Sequence, residues 1–398
     1  MNVRRSCAIL LFATLLSQAV FAADEPQRDW SKSVVDSQLT RTPEAAKFGS
    51  WGYARALYLI GQYEVYKRTG DKRYLEFIKG WIDSIIDPKI DASGNLNVKV
   101  TNLDSIQAAN LLLVLYKETH DDKYKRAAEV YRHAFDNYPR TSDGGFWHAD
   151  PARAHQLWAD GVYMGMPFLV RYGKMFGEEK YTQDEAVRQL LVYGKHLDSK
   201  VGLLYHAYDE SGKQPWADPV THHSAFFWCR AIGWYAMTSV DVLDVLPKNH
   251  PGRKEIIARL NRLIKAFERY QDPKTGLWFE VVDHGDDPNN WLETSSSSMY
   301  TYAIDIAVKR GYVSKKYKAV ADKGYRGVMS KVSIGDDGLA NIADICEGTN
   351  VGDLAFYYGR KHPVNDFHGL GAFLIMNEEF QHDAPAMSIT VDGIKTKR

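Results

Sequence analysis

Two aspartates carry the strongest chemical signal in this chain. Asp160 stands in Trp158-Ala159-Asp160-Gly161-Val162-Tyr163-Met164, at the N-terminal edge of a long apolar stretch. An aspartate there can simply cap a helix by accepting backbone N–H bonds. Its neighbours argue for more, because Trp147, Trp158, Tyr163 and Met164 would desolvate the carboxylate. Desolvation raises a carboxyl pKa toward the range useful for general acid work. Asp104, in Thr101-Asn102-Leu103-Asp104-Ser105-Ile106-Gln107, also opens a helical stretch. If both helices begin on one rim, the two carboxylates share a pocket and push their pKa values apart, leaving one protonated. Two independent caps are the alternative.

A third segment runs Phe227-Trp228-Cys229-Arg230-Ala231-Ile232-Gly233-Trp234-Tyr235-Ala236-Met237. Arg230 among these aromatic rings is costly unless it is paired or meets an anionic ligand. A uronate carboxylate suits its fork, and a salt bridge to a nearby Asp is the structural alternative. His206, in Tyr205-His206-Ala207-Tyr208-Asp209, can reach the same rim. Other chemistries lack support: His222-His223 are adjacent without a metal-ligand spacing, and there is no phosphate-cradling glycine loop or Gly-x-Ser-x-Gly elbow. Neither a metal nor a cofactor is expected. The run Glu293-Thr294-Ser295-Ser296-Ser297-Ser298 reads as a helix start with a small face for close packing or ligand approach. The 10 Trp, 24 Tyr and 16 Phe are a heavy aromatic load, much of it between helical stretches. Such loops commonly carry function, and sugars stack on aromatic rings, so a carbohydrate cleft is expected.

The elements that must hold these residues repeat. Thr69-Gly70-Asp71-Lys72-Arg73-Tyr74, Thr119-His120-Asp121-Asp122-Lys123-Tyr124 and Phe176-Gly177-Glu178-Glu179-Lys180-Tyr181 each read as a helix stop, a charged turn and a new helix. A looser copy spans Arg310 to Tyr317. Gly-led extended pieces alternate with these hairpins, at Gly144 to His148, Gly202 to His206, Gly276 to Glu280 and Gly338 to Asn341. Helices are predicted at 44–68, 72–86, 104–118, 122–138, 158–176, 181–198, 223–246, 251–270, 293–310, 314–330, 348–359 and 366–380. These make six hairpins, and the apolar last helix, Phe367 to Phe380, needs a partner rather than a polar cap. The prediction is an all-α fold, an (α/α)6 toroid with short extended pieces between hairpins.

Arg4 and Arg5, the apolar run from Ala8 to Leu16 and the small residues from Ala19 to Ala23 read as a secretory signal peptide, residues 1–22. Residues 23–398 then form a single catalytic domain, exported to the periplasm or medium. Removing the two arginines from a balance of 50 basic and 50 acidic residues leaves a net charge of −2. No nucleic-acid footprint or membrane span follows from that. Cys229 and Cys346 make no disulfide scaffold, and a buried free thiol is the expectation for Cys229. Nothing calls for an oligomer, and a monomer is expected.

These segments resemble the unsaturated rhamnogalacturonyl hydrolases of glycoside hydrolase family 105 and, more distantly, the unsaturated glucuronyl hydrolases of family 88. The resemblance runs from Trp51-Gly52-Tyr53 to Asp366-Phe367-His368-Gly369-Leu370-Gly371. Its most specific parts are Gly145-Phe146-Trp147-His148, Trp158 to Gly165, Phe227 to Met237 and Glu293-Thr294-Ser295. It implies a hydrolase that removes a terminal 4,5-unsaturated uronic acid from lyase-cut oligosaccharides, with pectin or rhamnogalacturonan fragments favoured. It also implies Asp160 as the general acid and base, with Asp104 as helper. Tyr53, His148, Trp158, His206, Trp228, Arg230 and Trp234 are expected on the unsaturated sugar. Ser105 stands where the family often has a second Asp, and Leu370 where a small polar residue is commoner. The alternatives are an ordinary glycosidase or polysaccharide lyase on the same ring, or a non-catalytic glycan-binding protein.

Overall fold

Tyr74, Phe77, Ile78, Trp81 and Ile82 fall at helical spacing along one stripe, and all five are buried while the charged residues between them are not. The same one-sided pattern marks every second long helix, whereas the alternate helices are buried nearly all round. Such a pairing places the first kind outside and the second kind inside a ring. The computed structural model describes residues 28–381. The expected signal peptide lies outside them.

In chain order the helices are α1 (Trp30–Arg41), α2 (Tyr53–Thr69), α3 (Lys72–Ile86), α4 (Leu103–Gln107), α5 (Asn110–Thr119), α6 (Asp122–Ala134) and α7 (Gly161–Phe176). They continue as α8 (Glu179–Leu197), α9 (Cys229–Val245), α10 (Arg253–Tyr270), α11 (Thr294–Lys309), α12 (Lys318–Met329), α13 (Leu354–Tyr358) and α14 (Phe367–Gln381). The inner ring is α2, α4 with α5, α7, α9, α11 and α14, each packed on the next, with α14 closing onto α2. Outside it lie α3, α6, α8, α10, α12 and α1. Hairpin stops are left-handed where the sequence has Gly70 and Gly177, with φ of 71° and 82°. His120 takes the same conformation at φ 56°, despite its side chain. Asp71 and Asp121 then cap the following helices by accepting from the N–H groups of Arg73 and Lys123. That is why the Thr-x-Asp pattern recurs.

Three short antiparallel ladders fill the rim: β1 (Gln156–Trp158) with β2 (Ala207–Asp209), β3 (Trp278–Phe279) with β4 (Leu292–Glu293), and β5 (Val332–Ile334) with β6 (Ala340–Ile342). The toroid stands, with corrections to its elements. The sixth outer helix is α1, a segment not predicted as helical, and the predicted helix at 348–359 shrinks to the single turn of α13. The stretch at 104–118 breaks between α4 and α5, and the first predicted helix begins at Tyr53 rather than 44. Segment 30–41 carries few strong apolar residues, so its periodicity is faint. What holds it is tertiary: Asn377 Nδ2 donates to Ser31 Oγ at 2.7 Å, and Arg68 bridges Asp29 and Glu378 at 2.8 and 2.7 Å. Ser295 to Ser298 are fully buried, and Ser295 packs so close to Gly369 that any side chain there would collide. Close packing is therefore the use of that small face. Among the described residues no helix is long and apolar enough to cross a membrane.

Candidate active site

The β1–β2 ladder sets the central geometry. Trp158 pairs with Ala207, and one step further the Ala159 N–H donates to the His206 carbonyl at 2.9 Å. Asp160, the next residue, is thereby brought beside His206, with Oδ2 3.6 Å from Nε2. Neither atom has a hydrogen-bond partner. His206 Nδ1 lies 2.8 Å from the Tyr357 hydroxyl, which already accepts from Gly352 N–H. A Tyr357 hydroxyl proton directed at Nδ1 would leave the Nε2 proton facing Asp160. Burial holds the His206 pKa down although Asp160 pulls it up, so the ring is neutral at ordinary pH.

Asp160 precedes α7, yet its side chain makes no capping bond. The expectation that it caps a helix is not met. Burial pushes its pKa up, His206 and then His148 more than offset this, and the net direction is down. Asp104 is held from another side, with Oδ1 3.2 Å from His148 Nε2. Each of the two carboxylates faces a histidine, His148 for Asp104 and His206 for Asp160.

Tyr53, Asp104, His148, Trp158 and Asp160 line one cavity of about 220 Å³ at the N-terminal ends of the inner helices. Burial raises the Tyr53 hydroxyl well above its usual range, so it stays a proton donor there. A larger cavity of about 410 Å³, lined by Tyr63, Leu113, Lys117 and Arg171 among others, sits toward the other ends of those helices and holds none of the predicted residues. Volume is the weaker guide here, since the smaller cavity is the one lined by Asp104, His148 and Asp160, and the buried Asp160 Oδ2 has no partner within hydrogen-bond distance. Buried polar groups without partners are rare, and strain, catalysis or a bound water or ion accounts for them.

Three expected sugar contacts sit behind the wall instead. Arg230 is fully buried; Nη1 donates to the Cys346 carbonyl and Nη2 to that of Glu347, both at 2.6 Å. Its fork is closed on backbone, with the Glu293 carboxylate 3.9 Å away rather than an Asp, and is not open to a substrate carboxylate. The chain it holds continues into Gly348, Thr349 and Asn350, which line the cavity. Trp228 is sealed in, its Nε1 donating to Glu280 at 2.8 Å, and Trp234 is covered by Tyr53 and Tyr163. Even the Trp158 ring, at the cavity wall, is stacked on by His148 and overlaid by Arg153. Sequence reasoning missed Arg153, Tyr357, Thr349, Asn350 and His368. His368 is held by Asp366 at 2.5 Å, a two-residue spacing visible in the sequence, whereas Arg153 in Pro151-Ala152-Arg153-Ala154 follows no pattern.

Behind Arg230 lies a buried acidic pair, Glu280 and Glu293. Cys229 and Cys346, both free and buried, donate to Glu280 at 3.4 and 3.1 Å, and Cys346 N–H donates to Glu293 at 3.0 Å. Burial, and then Glu293, raises Glu280 to about 7 from its usual 4.5. Across that window the unfolded chain has released a proton that the folded chain still holds, so stability falls as pH rises. Glu280→Gln removes this term. Between about pH 5 and pH 8 the wild-type Tm is expected to fall more steeply than that of the variant. Parallel slopes would mean that Glu280 is already ionised in the fold.

A closed ring of helix pairs with an acidic pocket at one rim defines the α/α-toroid class of carbohydrate-active enzymes. Residues 30–382 match the model of Glycosyl Hydrolase Family 88, and the chain belongs to that family, on the side of the related family 105. A family 105 glycoside hydrolase structure from C. acetobutylicum is 37% identical, covers 89% of this chain and 100% of its own, and superposes with a TM-score of 0.82. Unsaturated rhamnogalacturonyl hydrolase YesR of Bacillus subtilis is 29% identical over 318 residues, 78% of this chain and 86% of that protein. The unsaturated glucuronyl hydrolase of Bacillus sp. GL1 is 14% identical and shares the fold, with a TM-score of 0.68 over 89% of this chain and 96% of its own. The chain is a glycoside hydrolase that releases unsaturated uronic acid from oligosaccharides.

Proposed function

We propose that Asp160 is the proton-transferring residue of this reaction, and that the substrate is a pectin-type fragment in which the unsaturated uronate is joined to rhamnose. The carrying observation is the buried Asp160 carboxylate on the cavity wall, its Oδ2 3.6 Å from His206 Nε2. Asp160 gives its proton to C4 of the C4=C5 vinyl ether, and positive charge develops at C5 and the ring oxygen. The resulting carboxylate then takes a proton from water as the water oxygen bonds to C5. The hemiketal opens as C5–O5 breaks, C5 becoming a ketone while its hydroxyl proton passes to O5. O5 stays on C1 as the hydroxyl of a hemiacetal. This collapses to the aldehyde as the C1–O bond to the second sugar breaks and that oxygen takes the hydroxyl proton. The neutral His206 N–H steadies the Asp160 carboxylate that forms in the first step. Asp104, held by His148, is placed to orient the ring hydroxyls. The rhamnose assignment is supported by the name of YesR.

In the free protein the Asp160 pKa is lowered, which leaves little of the acid form at neutral pH. An anionic sugar that fills the cavity disfavours a second negative charge there and excludes water, and both raise that pKa. The high-pH limb of kcat is therefore expected at higher pH than that of kcat/KM, since the first reports the complex and the second the free enzyme. Coincident limbs would sink this assignment. The function itself is tested by incubating lyase-generated disaccharides and their saturated counterparts. Loss of alkene absorbance with the unsaturated rhamnose-linked sugar, and no cleavage of the saturated one, is expected. Equal cleavage of both would make the protein an ordinary glycosidase. Export is supported by Arg4, Arg5 and the apolar run from Ala8 to Leu16, and the N-terminus of the protein recovered outside the cytoplasm tests it.

A further inference from the structure

The cavity poses a charge problem. On the reading above the substrate is an anion, yet Asp104 and Asp160 both line the space that receives it. Arg230 cannot balance them by contact, because its two terminal nitrogens are closed on the carbonyls of Cys346 and Glu347. Among the described residues lining the cavity, Arg153 is the one Lys or Arg side chain.

Its placement is built rather than incidental. The Arg153 N–H donates to the Ala149 carbonyl at 3.0 Å, and its own carbonyl accepts from Gln156 N–H at 3.2 Å, so the backbone is pinned on both sides. The guanidinium lies over the Trp158 ring at 4.3 Å, and Nη2 donates to Asn350 Oδ1 at 3.0 Å. The Trp158 ring and Asn350 together hold the guanidinium at the cavity. Nε and Nη1 donate to no described residue. A planar, permanently charged group with spare donors at the mouth of an acidic pocket is what a carboxylate accepts.

We infer that Arg153 is the specificity-determining residue that recognises the carboxylate of the substrate, the role its sequence neighbours suggested for Arg230. The inference rests on the hydrolase reading. The carboxylate belongs either to the unsaturated ring or to a uronate that follows it, and the chemistry of recognition is the same. Because the contact is made on binding and kept through the reaction, it acts on KM and not on kcat.

The test uses unsaturated disaccharides with a neutral or a uronate second sugar, each with its carboxylates free or methyl-esterified. Wild type is expected to prefer the free acid. R153Q is expected to raise KM on the free acid by about ten- to a hundredfold, the scale of a charge-assisted hydrogen bond, with kcat within a few-fold. The acid-over-ester preference should vanish in R153Q and return in part in R153K, which keeps the charge without the fork. Loss of preference with the neutral second sugar assigns the contact to the unsaturated ring; loss confined to the diuronate assigns it to the next sugar. Equal weakening on acid and ester in both variants, or none, overturns the inference. If R153Q melts early, R153K carries the same comparison. Wild-type protein inert on every unsaturated sugar would instead overturn the hydrolase reading beneath it.

Discussion

Asp160→Asn should lower kcat by about a hundred- to ten-thousandfold while leaving the affinity for the unsaturated disaccharide within a few-fold. The amide is nearly the same size and fills the same space, so Trp158 and His148 need not move. It has no proton acidic enough for C4 and no basic oxygen to take one from water, which removes both halves of the reaction. A companion His206→Gln should cost less, because that ring steadies the carboxylate without exchanging the transferred proton. Turnover and binding are read separately, by loss of alkene absorbance and by calorimetry at substrate concentrations around Kd. An Asp160→Asn protein with a tenth or more of wild-type kcat would remove Asp160 from the mechanism. A glycan-binding protein would show no turnover to lose in either form.

Gly371→Ala is expected to destabilise the fold by about 3 kcal/mol, or roughly 4 °C in Tm. The added methyl would sit 2.4 to 2.6 Å from the carbonyl carbon and oxygen of Leu57 and the nitrogen of Tyr58. These are backbone atoms of α2, which no rotamer change can move aside. The whole seam between α14 and α2 must open to admit the methyl. That seam closes the inner ring, so widening it also loosens α1, which packs on both helices. Thermal unfolding of the variant checks this. A midpoint within a degree of wild type would show that the ring is not closed by so tight a contact.

Both effects turn on features read from the sequence with unequal success. Asp160 was picked out by its aromatic surroundings, and those surroundings are real, but the side chain caps nothing and its partner is His206, 46 positions away. No local pattern announces that pairing; the β1–β2 ladder makes it. Asp104 and His148 were each noticed, and their contact was not. Arg230 was noticed for a sound reason, since a buried guanidinium must be answered. The answer came from two backbone carbonyls more than a hundred positions downstream, which a periodicity argument cannot see.

What the sequence determined by itself is whatever depends on neighbours three or four positions apart. The stripe on α3, the stops at Gly70 and Gly177, the caps at Asp71 and Asp121 and the repeated hairpin follow from helix geometry and local hydrogen bonding. Six such hairpins imply a ring, because inner helices that are apolar all round have nowhere else to go. Tertiary structure alone decided which helix closes that ring, which carboxylate meets which imidazole, and which arginine is spent on backbone and which is left for a ligand. Those choices rest on contacts between distant segments, where distance and burial, not residue type, settle whether a charged group holds the fold or faces the substrate.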